Sequence, residues 1–306
     1  MASPELAVSV EIMNTRAQVA LLADGRRLHL HDGPIDLILE AFGSPGEVQS
    51  AYAAAAKRFA SILDELCSEL PLLRQAAGPG GPRLSDVVAR RMLDAVLPYA
   101  ADTFITPMAA VAGAVAEEIL STMTAAARLA RAYVNDGGDI ALHIGPGEEF
   151  QVGMVERPDR PSLFGTARLS ASDPVRGIAT SGWRGRSFSL GIADAVTVLA
   201  ESASAADAAA TIIANAVDLP RHPAISRVPA CTLAPDSDLG TRLVTQGVGE
   251  LSHDEIEIAI GSGISTARNL VDKGLICAAA LCLRGETRVV GSAHLQLASS
   301  GSLAHA

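Results

Sequence analysis

Three oxygen-bearing side chains recur at helical spacing in an alanine-rich stretch of this sequence. Asp207, Thr211 and Asn215 stand four residues apart, so a helix would stack them on one face. A carboxylate, a hydroxyl and an amide are ligands that suit magnesium or calcium rather than zinc. The small alanines between them would let a ligand approach closely. The alternative is structural, because Ser204 and Asp207 also have the spacing of a capping box at a helix start.

Small residues in two other segments could let the backbone approach a ligand closely. Gly137 and Gly138 stand side by side before Asp139, and adjacent glycines tolerate positive φ values that other residues avoid. Considered alone, these glycines have a plainer explanation as a tight turn. Ala112 and Gly113 end a run of small residues that would admit either a ligand at a helix start or a closely packed neighbouring helix. Core packing is the simpler explanation of that run.

A segment around the single tryptophan offers hydroxyl and amide donors. Thr180 and Ser181 precede Gly182, and hydroxyls and free amides in such a loop can donate to phosphate oxygens. Trp183 could stack on a ring system, or it could pack beside an ordinary turn. Both explanations stay open from the sequence.

Three other polar side chains lie in predicted strands. Asp194 interrupts an apolar run, and a carboxylate there is costly unless it faces a functional site or pairs with a base such as Arg184 or Arg186. His29 and His31 share one face of a strand and could bind a metal. Without a third ligand nearby in sequence, we interpret them as solvent-facing histidines.

The elements that position these residues combine short hairpins with long helices. Alternating or apolar runs predict strands, which fall at 17–22, 27–30, 35–40, 134–144, 151–155, 165–169, within 186–199, and at 275–283, 287–290 and 293–297. Helical periodicity and capping residues predict helices at 45–71, 85–97, 107–133, 204–217 and 252–272. Ser44 can cap the first of these helices, Ser252 and Glu255 form a capping box at the start of the last, and Asp24-Gly25 predicts a hairpin turn between the first two strands. We therefore expect an α/β fold of the α+β type, with helices packed against a mainly antiparallel sheet.

Length and composition set the broad class of protein. The 306 residues are 49% hydrophobic and 19% charged, which is enough to bury a substantial core. We expect one domain over residues 1–298, or two closely packed halves at 1–150 and 151–298. Residues 299–306 have the composition of a disordered tail. The net charge of −10 argues against a nucleic-acid partner, which would need a basic surface.

Several sequence features bear on location and on redox chemistry. No uninterrupted apolar run reaches the length of about 20 residues that a membrane helix needs. The N-terminal residues lack the basic and apolar segments of a secretory signal. These features predict a cytoplasmic protein without a membrane partner. The cysteines are scattered and form no C-x-x-C pair, so we expect reduced, mostly buried thiols at positions 67, 231, 277 and 282.

Taken in order along the chain, these motifs resemble the ApbE superfamily, whose enzymes are FAD:protein FMN transferases. The ordered motifs are Gly-Gly-Asp at 137–139, Thr-Ser-Gly at 180–182 and Ala-Asp-Ala-Ala-Ala-Thr at 206–211. The likeness to proven transferases covers roughly residues 105–217. The segment 107–113 and the runs at 25–30 and 33–37 look like a cytoplasmic branch of the superfamily, and that likeness covers nearly the whole chain.

This resemblance implies a T-fold-type architecture and a magnesium site. Asp207 and Thr211 match the metal-binding positions of the transferases, with a backbone oxygen of the 107–113 segment as a further ligand. The segments that line the flavin-nucleotide pocket match Ala112, Gly113, Gly137, Gly138, Asp139, Thr180, Ser181 and Gly182. FAD would then be the ligand, and magnesium would offset its pyrophosphate charge. We also expect a homo-oligomer, in the simplest case a homodimer.

The sequence also departs from the transferases. Their first motif contains Lys-Gly, whereas the segment 107–113 has no lysine, and they are typically exported. Aromatic residues make up only 3% of the chain, which leaves few side chains to sandwich an isoalloxazine ring. The alternative to FMN transfer is a non-catalytic accessory protein that binds a ligand, for example in sulfur incorporation during homocysteine synthesis. A sulfur role would require an essential cysteine.

Overall fold

The computed structural model describes residues 16–81, 83–155, 163–291 and 295–297. Their strands are β1 (Gln18–Leu21), β2 (Leu28–Asp32), β3 (Ile35–Phe42), β4 (Arg131–Asp136), β5 (Asp139–Ile144), β6 (Glu149–Val155), β7 (Leu163–Ser170), β8 (Gly177–Ser181), β9 (Ala195–Ala200), β10 (Ile225–Pro229), β11 (Leu243–Val248), β12 (Ala278–Leu283), β13 (Glu286–Gly291) and β14 (Leu295–Leu297). Nine of these form one sheet in the order β1-β2-β3-β4-β5-β8-β9-β12-β13. Every neighbouring pair in it is antiparallel.

Helices pack on this sheet, as the sequence predicts. They are α1 (Pro45–Leu73), α2 (Val87–Val96), α3 (Val111–Ala126), α4 (Ala203–Ala216), α5 (Ala230–Leu233) and α6 (His253–Asp272), with 3₁₀ turns at Leu97–Tyr99 and Pro107–Ala110. The predicted α/β class with a mainly antiparallel sheet is confirmed. Because β5 pairs with β8, the segments before and after residue 150 share one sheet. The predicted tail, 299–306, lies outside the described residues.

The inner face of the large sheet packs against α1, α3, α4 and α6. Two apolar clusters fill that interface, one containing Leu37 with residues of α1 and the other containing Val198 with residues of α4. The alanines of α4 let the helix lie very close to the strands. A Cβ on Gly177 of β8 would lie 2.1 Å from the Ser202 backbone, so only glycine fits there.

The outer face of the large sheet is covered in part by a second, three-stranded sheet. That sheet has the order β14-β7-β6, and Leu169 of β7 packs with Leu142, Ile178 and Leu199 of the large sheet. At the other end, the outer face of β2 presents His29 and His31 with side chains about two-fifths exposed. Their polar surroundings agree with the interpretation of two solvent-facing histidines.

Three predicted elements differ from the structure. The predicted strand 134–144 is two strands, because Gly137 and Gly138 have φ values of +63° and +116° and turn the chain into a hairpin. The predicted helix 107–133 is wrong beyond Ala126, since the chain enters β4 at Arg131. α1 runs two residues past Pro71, because a proline in the last turn removes one backbone bond without ending the helix at once.

The cysteines are less buried than predicted. Cys67 is exposed on α1, Cys231 and Cys277 are half-buried, and Cys282 is buried; none of the four forms a disulfide. The prediction of mostly buried thiols is therefore wrong. Burial, together with the negative charge of Glu201, raises the pKa of the Cys277 thiol, which disfavours the thiolate needed for sulfur chemistry.

The segment Pro107–Ala126 is 20 residues long and, with a mean hydropathy of 1.2, is apolar enough by composition to span a bilayer. Glu117 and Glu118 interrupt the segment, so it is not an uninterrupted apolar run. In the structure α3 packs against α1 and α4, and its Val115 and Ile119 are fully buried. Within the part of the chain that the structure describes, this segment packs in the hydrophobic core.

Candidate functional site

Asp207 lies in α4 and reaches the first turn of the neighbouring helix α3. Its Oδ2 accepts a hydrogen bond from the Gly113 backbone N at 3.0 Å, and the Ala112 N–H also bonds to the carboxylate. Since α3 has no capping side chain at its own N-cap, Asp207 satisfies amides that would otherwise lack partners. The capping-box explanation of Asp207 is wrong, because Ser202 caps α4 and accepts from the Ala205 N–H.

Two more carboxylates flank the hairpin turn between β4 and β5. Asp136 and Asp139 are directly paired across the strands, and Asp136 is only 4% exposed. Gly137 and Gly138 form the two-residue turn that holds them opposite each other. The Gly138 N–H donates to the Asn135 side chain at 2.8 Å and fixes that turn. Like charges directly opposite each other destabilise a hairpin, so this arrangement calls for a compensating cation.

β8 joins the same corner through its backbone. The Thr180 N donates to Oδ1 of Asp139 at 3.2 Å, whereas the Thr180 hydroxyl contacts the Thr197 hydroxyl at 2.9 Å. Because side chains alternate along a strand, Ser181 lies on the opposite face, the one that packs against α4. Thr180 therefore contributes its amide to the corner, and Ser181 places its hydroxyl on the inner face.

We call Asp136, Asp139 and Asp207 the acidic corner. Burial raises the pKa of all three carboxyl groups, and repulsion between carboxylates adds to the rise at Asp136 and Asp207. The pKa of Asp136 rises to about 7, through burial first and then through the charge of Asp139. Burial raises the pKa of Asp139 to about 7 as well. The pKa of Asp207 lies well above its usual range, because of burial and then of the other two carboxylates. Three acids that resist ionisation together would be stabilised by an added cation.

One arginine lies over the acidic corner. Nη2 of Arg186 is 3.7 Å from Oδ1 of Asp136, and the guanidinium packs on Gly137. Its positive charge opposes the rise in the pKa of both Asp136 and Asp139 without overcoming the effect of burial. The Arg186 side chain is 64% exposed, so water screens much of its charge and the neutralisation is incomplete.

Thr211 follows Asp207 by one turn of α4 and is half-buried. The third residue of the predicted face, Asn215, has a structural role, because its Oδ1 accepts from the Leu190 N at 2.9 Å. A cavity of about 480 Å³ lies along the same helix and is lined by Thr103, Leu190, Ile212, Asn215, Ala216, Asp218, Arg227, Arg242, Leu243 and Thr266. Its lining includes neither Thr211 nor a residue of the acidic corner.

Asp194 and Trp183 form a separate, structural cluster. Oδ1 of Asp194 accepts from the Arg184 Nε at 2.7 Å and from the Trp183 Nε1 at 3.1 Å, and Oδ2 accepts from the Arg284 N at 2.6 Å. Arg184 also covers the indole ring at 4.3 Å from its centroid. The ion-pair explanation of Asp194 is the one the structure supports, with Arg184 as the base. Gly182 belongs to this cluster, since a Cβ there would lie 2.5 Å from the Asp194 carbonyl oxygen.

Hydrogen bonds join Asp207 to Ala112 and Gly113, and Asp139 to Thr180; the charge of Asp139 acts on Asp207 and links these two groups of predicted site residues. Sequence reasoning missed Asp136 and Arg186 as members of the site. Asp136 has a detectable signal, because residues that flank a two-residue hairpin turn must face each other. Arg186 has none, since only the path of the chain between β8 and β9 carries it back over the hairpin.

The donor set of the acidic corner suits a hard divalent cation. Its side-chain donors are carboxylate oxygens, to which Thr211 adds a hydroxyl one turn away, and magnesium and calcium prefer such oxygens. Within the described residues, no group of three or more acidic, histidine or cysteine side chains is arranged to hold a metal ion by itself. A cation here would take its remaining ligands from backbone oxygens and water, as magnesium usually does.

Two solved flavin transferases are distant structural relatives. A mutant of flavin transferase ApbE from Vibrio cholerae aligns over 91% of this chain and 97% of its own, with 11% identity and a TM-score of 0.45. The apo form of flavinyl transferase ApbE from Pseudomonas stutzeri aligns over the same shares, with 13% identity and a TM-score of 0.39. At these values the likeness carries no conclusion about activity.

Sequence relatives are UPF0280 proteins. One from Methanopyrus kandleri is 36% identical over 175 residues, which cover 55% of this chain and 66% of the relative. Another from Methanosphaerula palustris is 34% identical over 165 residues, covering 51% and 63% respectively. The matched regions therefore span slightly less than two thirds of these relatives. The family described as AbpE bacteria matches residues 19–289, nearly the whole described chain, and the protein belongs to that family, as the predicted ApbE-like resemblance implies.

Proposed function

We propose that this protein binds a flavin nucleotide or a related phosphate ligand together with Mg²⁺ at the acidic corner. The observation that carries the proposal is the meeting of three carboxylates where α3, α4, β8 and the β4–β5 hairpin converge. Asp207 is held by the start of α3, and Asp139 is held by the Thr180 amide. The charge of these acids is offset only in part by Arg186.

The two components of the ligand have different support. Magnesium is supported by the oxygen donors and by the uncompensated charge of the acidic corner. The flavin nucleotide is supported by membership of the AbpE bacteria family and by the order of the motifs.

In this proposal the described residues hold and orient the ligand. Asp207 and Thr211 would bind the cation, and the fixed contact of Asp207 with α3 would keep its carboxylate in place. The exposed turn at Gly137 and the hydroxyl of Ser181 would face the phosphate groups. Bound Mg²⁺ would offset pyrophosphate charge and polarise the bond that breaks if FMN is transferred to a protein serine or threonine.

A thermal-shift experiment with FAD, FMN and ADP, each with and without Mg²⁺, tests this proposal. We expect the Tm to rise with FAD only when Mg²⁺ is present. Asp207→Asn should keep the helix contact, because an asparagine oxygen accepts the same N–H bonds, yet lose the magnesium-dependent shift. The control Asp236→Asn, an exposed carboxylate, should keep that shift. An unsubstituted protein that responds to no nucleotide with Mg²⁺ contradicts the proposal.

A non-catalytic accessory role is the second candidate, and one observation favours it. Both amides at the start of α3 already bond to Asp207, so this residue has a structural function without any ligand. In that case the fold would serve to bind another anion, a partner protein or a second copy of the chain. We would then expect sedimentation analysis to show a homodimer, while FAD and Mg²⁺ leave the Tm unchanged.

A further inference from the structure

We propose that Arg186 binds the phosphate group of the ligand and so determines which ligands the acidic corner accepts. The inference rests on the proposed function and deepens it, since it assigns the anionic part of the ligand to one side chain. Arg186 belongs to the segment that connects β8 to β9. Earlier in this segment Arg184 is fixed by Asp194 at 2.7 Å, which anchors the chain beside the corner.

The hairpin turn is shaped to accommodate the Arg186 guanidinium. A Cβ on Gly137 would lie 2.2 Å from Nη2 and 2.9 Å from Cζ of Arg186, so any larger residue would displace the group. Gly138 also has a positive φ, yet a Cβ there would meet nothing within 4 Å. The turn requires glycine at both positions, and only at Gly137 would a side chain also displace the guanidinium from its place.

The guanidinium is positioned but not bonded. Within the described part of the chain Arg186 has no hydrogen bond, and its ion pair with Asp136 is 3.7 Å long. An arginine has five N–H donors in a planar fork that matches two phosphate oxygens. With its side chain 64% exposed, Arg186 can offer that fork to a ligand that lies above the corner.

The charges around Arg186 make phosphate binding depend on a cation. Asp36, Asp136 and Asp139 all act on the guanidinium, so the immediate field is negative and a bare phosphate would be repelled. A divalent cation on the acidic corner would offset much of that negative charge. Arg186 and the cation also compete for the same carboxylates, so removal of the arginine should not weaken the binding of Mg²⁺ alone.

Calorimetric titration with inorganic pyrophosphate at saturating Mg²⁺, and with Mg²⁺ alone, tests the inference. Arg186→Gln should weaken pyrophosphate binding by about tenfold or more, since bonds between charged groups are lost. Arg186→Lys should recover part of the affinity, because it keeps the charge without the fork. The control Arg268→Gln removes the same charge from an exposed helical site and should bind like the unsubstituted protein.

A second pair of variants separates the position of the guanidinium from its charge. Gly137→Ala should lose pyrophosphate affinity as Arg186→Gln does, whereas Gly138→Ala, which also strains a positive φ, should keep it. If Arg186→Gln binds pyrophosphate as the unsubstituted protein does, with Mg²⁺ still bound, the inference is overturned and the proposed function stands. If the unsubstituted protein binds no Mg²⁺, the proposed function fails and the inference fails with it.

Discussion

The starts of α3 and α4 lie side by side, and each helix receives a carboxylate from the other. Asp207 of α4 accepts from the Gly113 N of α3, and Glu117 of α3 accepts from the Ser204 N at 3.2 Å and the Ser204 hydroxyl at 3.1 Å. The two ends differ in charge balance. Glu117 has the Arg91 Nε at 3.1 Å, whereas Asp207 faces the other carboxylates of the acidic corner.

This difference shows that the surrounding charge, rather than the residue type, separates a structural cap from a candidate cation site. Both carboxylates satisfy backbone amides at a helix start, where a negative charge is favourable. At the Glu117 end a base completes the interaction within the protein. At the Asp207 end the remaining negative charge has to be met by protonation or by a cation from solution.

The largest effect is expected from a change at the contact that both ends share. Gly113→Ala would place a Cβ 2.3 Å from the Ala203 carbonyl oxygen and force the two helix starts apart, at a cost of about 3 kcal/mol in the free energy of unfolding. Denaturant unfolding measures this cost. The control Gly261→Ala in α6 has empty space around its Cβ and should stabilise the protein by up to about 1 kcal/mol. Equal effects of both substitutions would contradict the close contact.

The second largest loss of stability is expected at the start of α4, where Arg91 neutralises the Glu117 carboxylate. Glu117→Ala should cost about 2 kcal/mol, because the start of α4 loses its acceptor and Arg91 loses one of its two carboxylate partners, keeping only Glu118. Glu117→Gln keeps an oxygen for the Ser204 amide and should cost less than half as much. Neither cost should change when Mg²⁺ is added, as thermal unfolding with and without Mg²⁺ would show. A magnesium-dependent cost would mean that the two ends are not distinct.

A smaller effect is expected when the base is removed and the carboxylate kept. Arg91→Gln should cost about 1 kcal/mol, since Glu117 keeps its bonds to Ser204 but loses its counter-ion. This variant makes the Glu117 end resemble the Asp207 end. Denaturant unfolding should show a larger loss than in Arg90→Gln, whose Nη1 donates to the Ser85 carbonyl oxygen. Equal losses in the two variants would contradict the assigned ion pair.

The smallest effect at low pH is expected for Asp207→Asn, which should change stability by less than about 0.5 kcal/mol near pH 4 because the cap is kept. The folded pKa of Asp207 lies well above the unfolded value of 3.8, so in metal-free buffer the unsubstituted protein loses stability as the pH rises above 3.8. The variant has no carboxyl group there to ionise, so it should be the more stable protein at pH 8. Mg²⁺ should reduce this difference in stability. If the stabilities of the two proteins change in parallel with pH, the raised pKa of Asp207 is refuted.

Several local features of the fold could be predicted from the sequence. Ser252 and Glu255 form the predicted capping box of α6, and Ser44 caps α1 as expected, because capping depends on residues within one turn. The hairpin at Asp24 also forms where the sequence places it. The prediction of element boundaries failed where one apolar run contains two strands. Gly137 closes a second hairpin that the apolar run 134–144 conceals.

The sequence by itself determined the type of most elements and the order of the motifs, since both depend on residues that are close along the chain. Only the tertiary structure decided which groups meet. Asp207 contacts Gly113, which is 94 residues away in the sequence, and Arg186 reaches Asp136 from the segment between β8 and β9. Such contacts follow from the packing of small side chains between α3, α4 and the sheet. The resulting charge balance, and with it the candidate site, is therefore a property of the packed molecule rather than of any motif.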